Sequence, residues 1–134
     1  MSSIKLPQLA WYGAKELELS LPDRWQVRFY NFAGYDHPAM EPEEIKAAIA
    51  SPIGSPPIRE LARGKKEVVI IFDDLTRITR TYDMVPFVLE ELAEAGIPDS
   101  SIQFICATGS HTAWDRAWLE KKLCLLYTSD AADE

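Results

Sequence analysis

Glu67-Val68-Val69-Ile70-Ile71-Phe72, followed at once by Asp73-Asp74-Leu75-Thr76-Arg77, is the stretch that decides the fold of this chain. A continuous and largely β-branched apolar run is what a strand covered on both faces requires, as in a parallel sheet. The polar cluster begins where the run stops. The pattern recurs downstream, where Ile102 to Cys106 leads into Ala107-Thr108-Gly109-Ser110-His111. In an open α/β sheet ligands bind beyond the carboxyl ends of the strands, so polar groups leaving two neighbouring strands can converge on one small molecule.

The segment between these runs predicts a helix. From Asp83 to Ala95, Val85, Val88, Leu89 and Leu92 recur at helical spacing, and Gly96 supplies the stop. Pro86 is tolerated only near a first turn, which predicts a late helix start. Strand, helix and strand in this order make one parallel βαβ unit.

Upstream, Glu41-Pro42-Glu43-Glu44 opens a helix with Ile45, Ala48 and Ile49 on its apolar stripe, because proline suits the first turn and the acids face the positive end of the helix dipole. Ser51 to Pro57 breaks it, and a brief helix from Pro57 to Arg63, capped by Ser55 and stopped by Gly64, follows. Nearer the start, Glu16 to Leu21 alternates, with Leu17, Leu19 and Leu21 on one side, as a half-exposed strand ended by Pro22-Asp23. Trp25 to Phe32 is a second strand candidate that would pair with it. Past His111, Trp114 to Leu123 is expected to begin another helix.

The last eleven residues, Cys124 to Glu134, match one reading frame of a transposase adapter used in sequencing-library preparation. They are expected to be an adapter-derived artefact, with residues 1–123 forming one α/β domain. Three of the acids behind the formal charge of −7 (Asp130, Asp133 and Glu134) fall in that tail. A mildly acidic body without a lysine or arginine cluster argues against nucleic acid or a membrane surface as partner. No run approaches the roughly 20 apolar residues that cross a bilayer, and Met1 to Lys5 lacks a signal-peptide core, so a cytoplasmic location is expected. Outside the tail Cys106 is the only cysteine, which leaves no disulfide and no cysteine metal site; in its strand it reads as a small core residue.

Chemistry is concentrated in the two clusters. The Arg77 guanidinium is a planar fork that fits a carboxylate or phosphate, and Asp74 can hold that fork in place. The plainer alternative is a surface ion pair or a helix-capping aspartate. His111 in a strand-end loop can act as general acid or base, with Thr108-Gly109-Ser110 allowing close approach of a ligand; the alternative is a loop histidine with one backbone hydrogen bond. His37 has no comparable context and is read as structural. The two histidines are far apart, so no metal site is expected, and glycine-rich phosphate fingerprints are missing.

Tyr12-Gly13, Pro52-Ile53-Gly54-Ser55, Asp73-Asp74-Leu75-Thr76-Arg77, Leu89-Glu90-Glu91-Leu92-Ala93-Glu94-Ala95-Gly96 and Ala107-Thr108-Gly109-Ser110-His111 occur in an order that resembles the N-terminal domain of the nickel-dependent lactate racemase family. The resemblance implies an incomplete Rossmann-like α/β domain with a parallel strand-helix-strand core and an N-terminal strand pair. It implies an isomerase, a racemase or epimerase of lactate or another 2-hydroxy acid, that removes hydride from C2 and returns it to the other face with a nickel pincer nucleotide cofactor. By position, His111, Arg77 and Asp74 match catalytic residues, with His111 handling the hydroxyl proton, and Arg77 with Thr76 would bind substrate. The cofactor's attachment lysine, the nickel-binding histidine and a second acid/base histidine would lie in a C-terminal domain absent from this chain, leaving it a truncated fragment, inactive alone. Ile78-Thr79-Arg80 and Ser110-His111-Thr112 depart from the family's usual proline-containing stretch and Thr-His-Arg, which leaves the hydroxy acid open. Two other classes stay open: a non-catalytic α/β domain binding a small anionic ligand, and a nucleotide-dependent enzyme of doubly wound type.

Overall fold

The computed structural model describes residues 2–7, 16–35 and 37–123. Tyr12-Gly13 and Cys124 to Glu134 lie outside them. The chain divides into two compact units, Met1–Ala39 and Met40–Glu134.

In the first unit, β1 (Ser2–Pro7) pairs antiparallel with β2 (Glu16–Leu21), Ile4 facing Leu19 and Leu6 facing Leu17. The expected strand at Glu16–Leu21 is present, but its partner is Ser2–Pro7 and not Trp25 to Phe32, which carries no regular structure. A turn closed by the Trp25 N–H on the Pro22 carbonyl at 2.9 Å leads out of β2, and Trp25, Phe29, Tyr30 and Phe32 stay exposed. Aromatic content raises strand propensity, yet propensity yields where no neighbour offers a ladder.

The second unit contains α1 (Pro42–Ala50), α2 (Ile58–Leu61), β3 (Val68–Asp73), α3 (Thr81–Glu94), a 3₁₀ turn at Asp99–Ser101, β4 (Ile102–Ala107) and α4 (Arg116–Leu123). The Glu44 carboxylate accepts the Glu41 N–H at 2.8 Å, satisfying one of the free donors at the start of α1. Pro57, not Ser55, stands at the N-cap of α2; the Ser55 hydroxyl bonds the Pro56 carbonyl instead, and α2 closes after one turn. At the end of α4's entry loop, the Asp115 carboxylate caps the Trp118 N–H at 3.0 Å.

β3 and β4 are parallel neighbours in register from Val68 opposite Ile102 to Asp73 opposite Ala107, with α3 as the crossover. Both strands alternate in burial. One face of the pair packs Val68, Ile70, Phe72, Ile102, Phe104 and Cys106 against the helices. Cover on both faces was expected; here Val69, Ile105 and Ile71, the last 70 % exposed, stay open to solvent on the other face. The run is apolar enough for two covers, and the described helices supply one.

The helix α3 starts earlier than Pro86 predicts. Thr81 at its first position donates its hydroxyl to Asp73 Oδ1 at 3.2 Å, and Arg80 pairs with Asp83 at 2.7 Å. These anchors outweigh the single backbone hydrogen bond that Pro86 cannot make. The helix ends as its sequence predicts. Gly96, at φ 81°, donates to the Ala93 carbonyl, and Ile97 donates to the Leu92 carbonyl at 3.0 Å, while the Leu92 and Ile97 side chains share a core cluster with Ala62. Inside α3, the buried Glu91 is bound by the Arg59 guanidinium and backbone N–H, which ties α2 to α3. A second cluster joins Phe72, Val85 and Leu123, so α4 closes the end of the unit nearest the strand termini.

Candidate active site

The last paired residues of β3 and β4 are Asp73 and Ala107, and the two polar clusters begin there. Asp74, Arg77 and His111 are therefore delivered to the same end of the parallel pair. They line an open pocket of about 220 Å³ together with Asp73, Ala107, Thr108, Gly109 and Ser110.

Leaving β3, the chain folds into a tight turn. Leu75 is buried, and the Arg77 N–H bonds the Asp74 carbonyl at 3.1 Å. Within this turn the Asp74 carboxylate, only 2 % exposed, is captured locally: Oδ1 accepts both the Thr76 N–H at 2.9 Å and the Thr76 hydroxyl at 2.6 Å. Aspartates hold their own turns in this way, two residues on. The free Oδ2 lies 2.6 Å from His111 Nδ1. His111 reaches that position because its N–H closes a turn on the Thr108 carbonyl at 3.0 Å, with Gly109 at φ 57° inside it. A side chain at that φ costs strain, which is the physical use of glycine there.

Electrostatics fixes the direction of the Asp74–His111 bond. The Thr76 hydroxyl first and His111 second hold the Asp74 carboxyl at about 2, overcoming the opposing effect of burial. Asp74 is thus ionised at neutral pH and can only accept. His111 Nδ1 therefore donates to it, which leaves Nε2 as the ring nitrogen open to a ligand. The ring is 41 % exposed, so a small molecule can reach it. An aspartate orienting an imidazole, with the second ring nitrogen free to move a proton, is a general acid/base arrangement.

Arg77 sits differently from expectation. Asp74 does not hold its guanidinium; the carboxylate is committed to Thr76 and His111. Among the described residues the Arg77 guanidinium has no hydrogen-bond or ion-pair partner, and the side chain is exposed at the pocket wall. It is an available planar fork beside the imidazole, suited to a carboxylate. Thr76, expected to contact substrate, spends its hydroxyl proton on Asp74, with the His111 Nδ1 contact at 3.4 Å too long to compete.

Two neighbours complete the description. Burial pushes the Cys106 thiol up, and the charges of Asp74 and Asp73 push it the same way; packed against the Phe72, Val85 and Leu123 cluster, it is a protonated core group at neutral pH. Asp73 keeps a lowered pKa: burial raises it, but hydrogen bonds from Thr79 and Lys122, the Lys122 charge and Thr81 together win. Sequence reasoning overlooked Lys122. Its signal was its place three residues after Leu119 and one before Leu123, on the inward stripe of α4.

Comparison with known proteins places the chain in a family. The lactate racemase N-terminal domain family matches residues 12–127, and the chain belongs to that family. It is 34 % identical over 113 residues to a lactate racemase of Thermoanaerobacterium thermosaccharolyticum, covering 83 % of this chain and 25 % of that protein. It is 38 % identical over 94 residues to a lactate racemase of Lactiplantibacillus plantarum, covering 64 % of this chain and 22 % of the relative. The structure of the lactate racemase apoprotein from T. thermosaccharolyticum superposes with a TM-score of 0.59 at 27 % identity, over 90 % of this chain and 27 % of that one. The chain thus spans about a quarter of the length of the relatives it matches.

Proposed function

We propose that this chain is the N-terminal, substrate-handling part of a racemase or epimerase acting on lactate or another 2-hydroxy acid, and that it is inactive without the remainder of the protein. The observation that carries the reading is the 2.6 Å Asp74–His111 contact in a pocket that also presents the exposed Arg77 fork. Family membership and the parallel β3-α3-β4 unit, which fits a Rossmann-like domain, support it.

In this reading Arg77 binds the carboxylate of the hydroxy acid through paired N–H donors. The C2 hydroxyl then faces His111 Nε2, which takes its proton as the carbon is oxidised and gives it back on return. Asp74 keeps Nδ1 protonated and steadies the imidazolium. Thr76 holds Asp74. Inversion by removal and return of hydride at C2 is the reaction the family resemblance implies, with a nickel pincer nucleotide as cofactor. Among the described residues there is no group of three His, Cys, Asp or Glu that could hold a metal ion. The same resemblance implies that the lysine and histidine that would hold this cofactor belong to a C-terminal domain.

The rival reading, a non-catalytic domain for a small anion, keeps Arg77 and makes His111 dispensable. The substrate role of Arg77 is tested in the complete, cofactor-loaded protein. Arg77→Ala should raise KM for lactate at least tenfold, since a charge-assisted pair contributes about 1.5–3 kcal/mol. An unchanged KM would remove Arg77 from substrate binding.

A further inference from the structure

We propose that Lys122 is a positioning residue for the substrate anchor: its buried ammonium fixes the backbone that carries Arg77, and so the place at which a carboxylate is bound. The inference rests on the reading of Arg77 as that anchor.

Lys122 is the most deeply buried large side chain of the described residues, at 0 % exposure. An ammonium out of water is tolerated only when its charge is paired and its donors are used. It has three N–H donors. Three acceptors stand within reach: the Arg77 carbonyl at 2.9 Å, the Thr79 carbonyl at 2.8 Å and Asp73 Oδ1 at 3.2 Å. They span the connection between β3 and α3, from the last residue of the strand to two residues before the helix. Leu119 and Leu123, on the same stripe of α4, are seated in the cluster with Phe72 and Val85, which holds the lysine stem in place.

The same three bonds that make the buried ammonium tolerable also tie α4 to the loop that carries Arg77. The two carbonyls belong to a loop that is also held by the Arg77 N–H on the Asp74 carbonyl, by the Thr76 N–H and hydroxyl on the Asp74 carboxylate and by Thr79 on Asp73, and Lys122 adds the bond to the Arg77 carbonyl itself. With no described partner for its guanidinium, Arg77 is positioned through its own backbone, and that backbone is held by Lys122. The Asp74–His111 pair depends on other bonds, those of Thr76 and of the Thr108–His111 turn, none of which involves Lys122. Loss of the ammonium should therefore loosen carboxylate binding and leave proton transfer largely intact.

The test compares Lys122→Met with Leu92→Ala in the complete, cofactor-loaded protein, following lactate racemisation and thermal unfolding. Both variants should lower Tm. Lys122→Met should raise KM about tenfold while kcat stays within about threefold, because misplacing a binding group acts first on substrate anchoring. Leu92→Ala, in the separate cluster with Ala62 and Ile97, should leave KM at the unaltered value. Equal KM effects from the two variants, or no KM effect from Lys122→Met, overturn the proposal. Should Lys122→Met not fold, Lys122→Gln, which keeps an N–H donor on a shorter arm, must show the same selective rise in KM. In the unaltered 134-residue chain, a slowly exchanging ¹⁵N ammonium signal correlated with the Arg77 and Thr79 carbonyls is expected, and its absence also overturns the clamp. If Arg77→Ala leaves KM unchanged while that signal is present, the failure lies with the anchor reading and not with the clamp.

Discussion

Asp74 shows how one residue can serve both its own loop and a distant one. Two bonds from Thr76 and one from His111 surround a carboxylate that is nearly out of water, and its pKa falls to about 2. A carboxyl whose folded pKa lies below its unfolded value of about 3.9 adds stability that is fully present above the unfolded value and is lost as pH falls through the folded one. For Asp74 the window runs from about pH 4 down to about pH 2. Urea-denaturation midpoints of the 134-residue chain should fall through that window, and Asp74→Asn should flatten the fall. An equally steep acid limb in the variant would show that the carboxylate is not held as described. The sequence placed Asp74, Arg77 and His111 at one site through the strand-end rule, yet it suggested the wrong partner for Asp74. Local capture by Thr76 turns one oxygen inward and leaves the other facing the end of β4, a choice made by turn geometry that residue types do not reveal.

At the scale of elements, the βαβ unit was legible because three signals agreed: two apolar runs of strand length, a helical stripe between them, and Gly96 at its end. The stop works through the Gly96 and Ile97 hydrogen bonds and the Leu92–Ile97 contact. Leu92 is the most buried apolar residue of α3, so Leu92→Ala should cost about 2–5 kcal/mol of unfolding free energy. Ile71→Ala, on the open face of β3, should cost much less, and comparable losses in chemical denaturation would mean that this face is covered in solution. The start of α3 and the partner of β2 were not legible. Each is decided by a partner outside the element itself: Asp73 for the helix start, and Ser2–Pro7 for the strand. Lys122 escaped for a similar reason, since a lysine near a helix end is ordinarily solvated and only the fold brings three acceptors to it.

At the scale of the molecule, the parallel strand pair leaves one face open among the described residues, and the chain spans about a quarter of the length of the relatives it matches. The proposed carboxylate anchor, Arg77, and the proposed base, His111, line one pocket at the carboxyl ends of β3 and β4. The central claim is that His111, oriented by Asp74, moves the hydroxyl proton of a 2-hydroxy acid bound by Arg77. Its most direct test is the rate at which the complete, cofactor-loaded protein converts D-lactate to L-lactate, with and without His111. His111→Ala should lower kcat by about 10²- to 10⁴-fold, the usual contribution of a positioned acid/base group. Racemisation at the unaltered rate in the His111→Ala protein would contradict the account and leave the histidine as a loop residue beside an anion site.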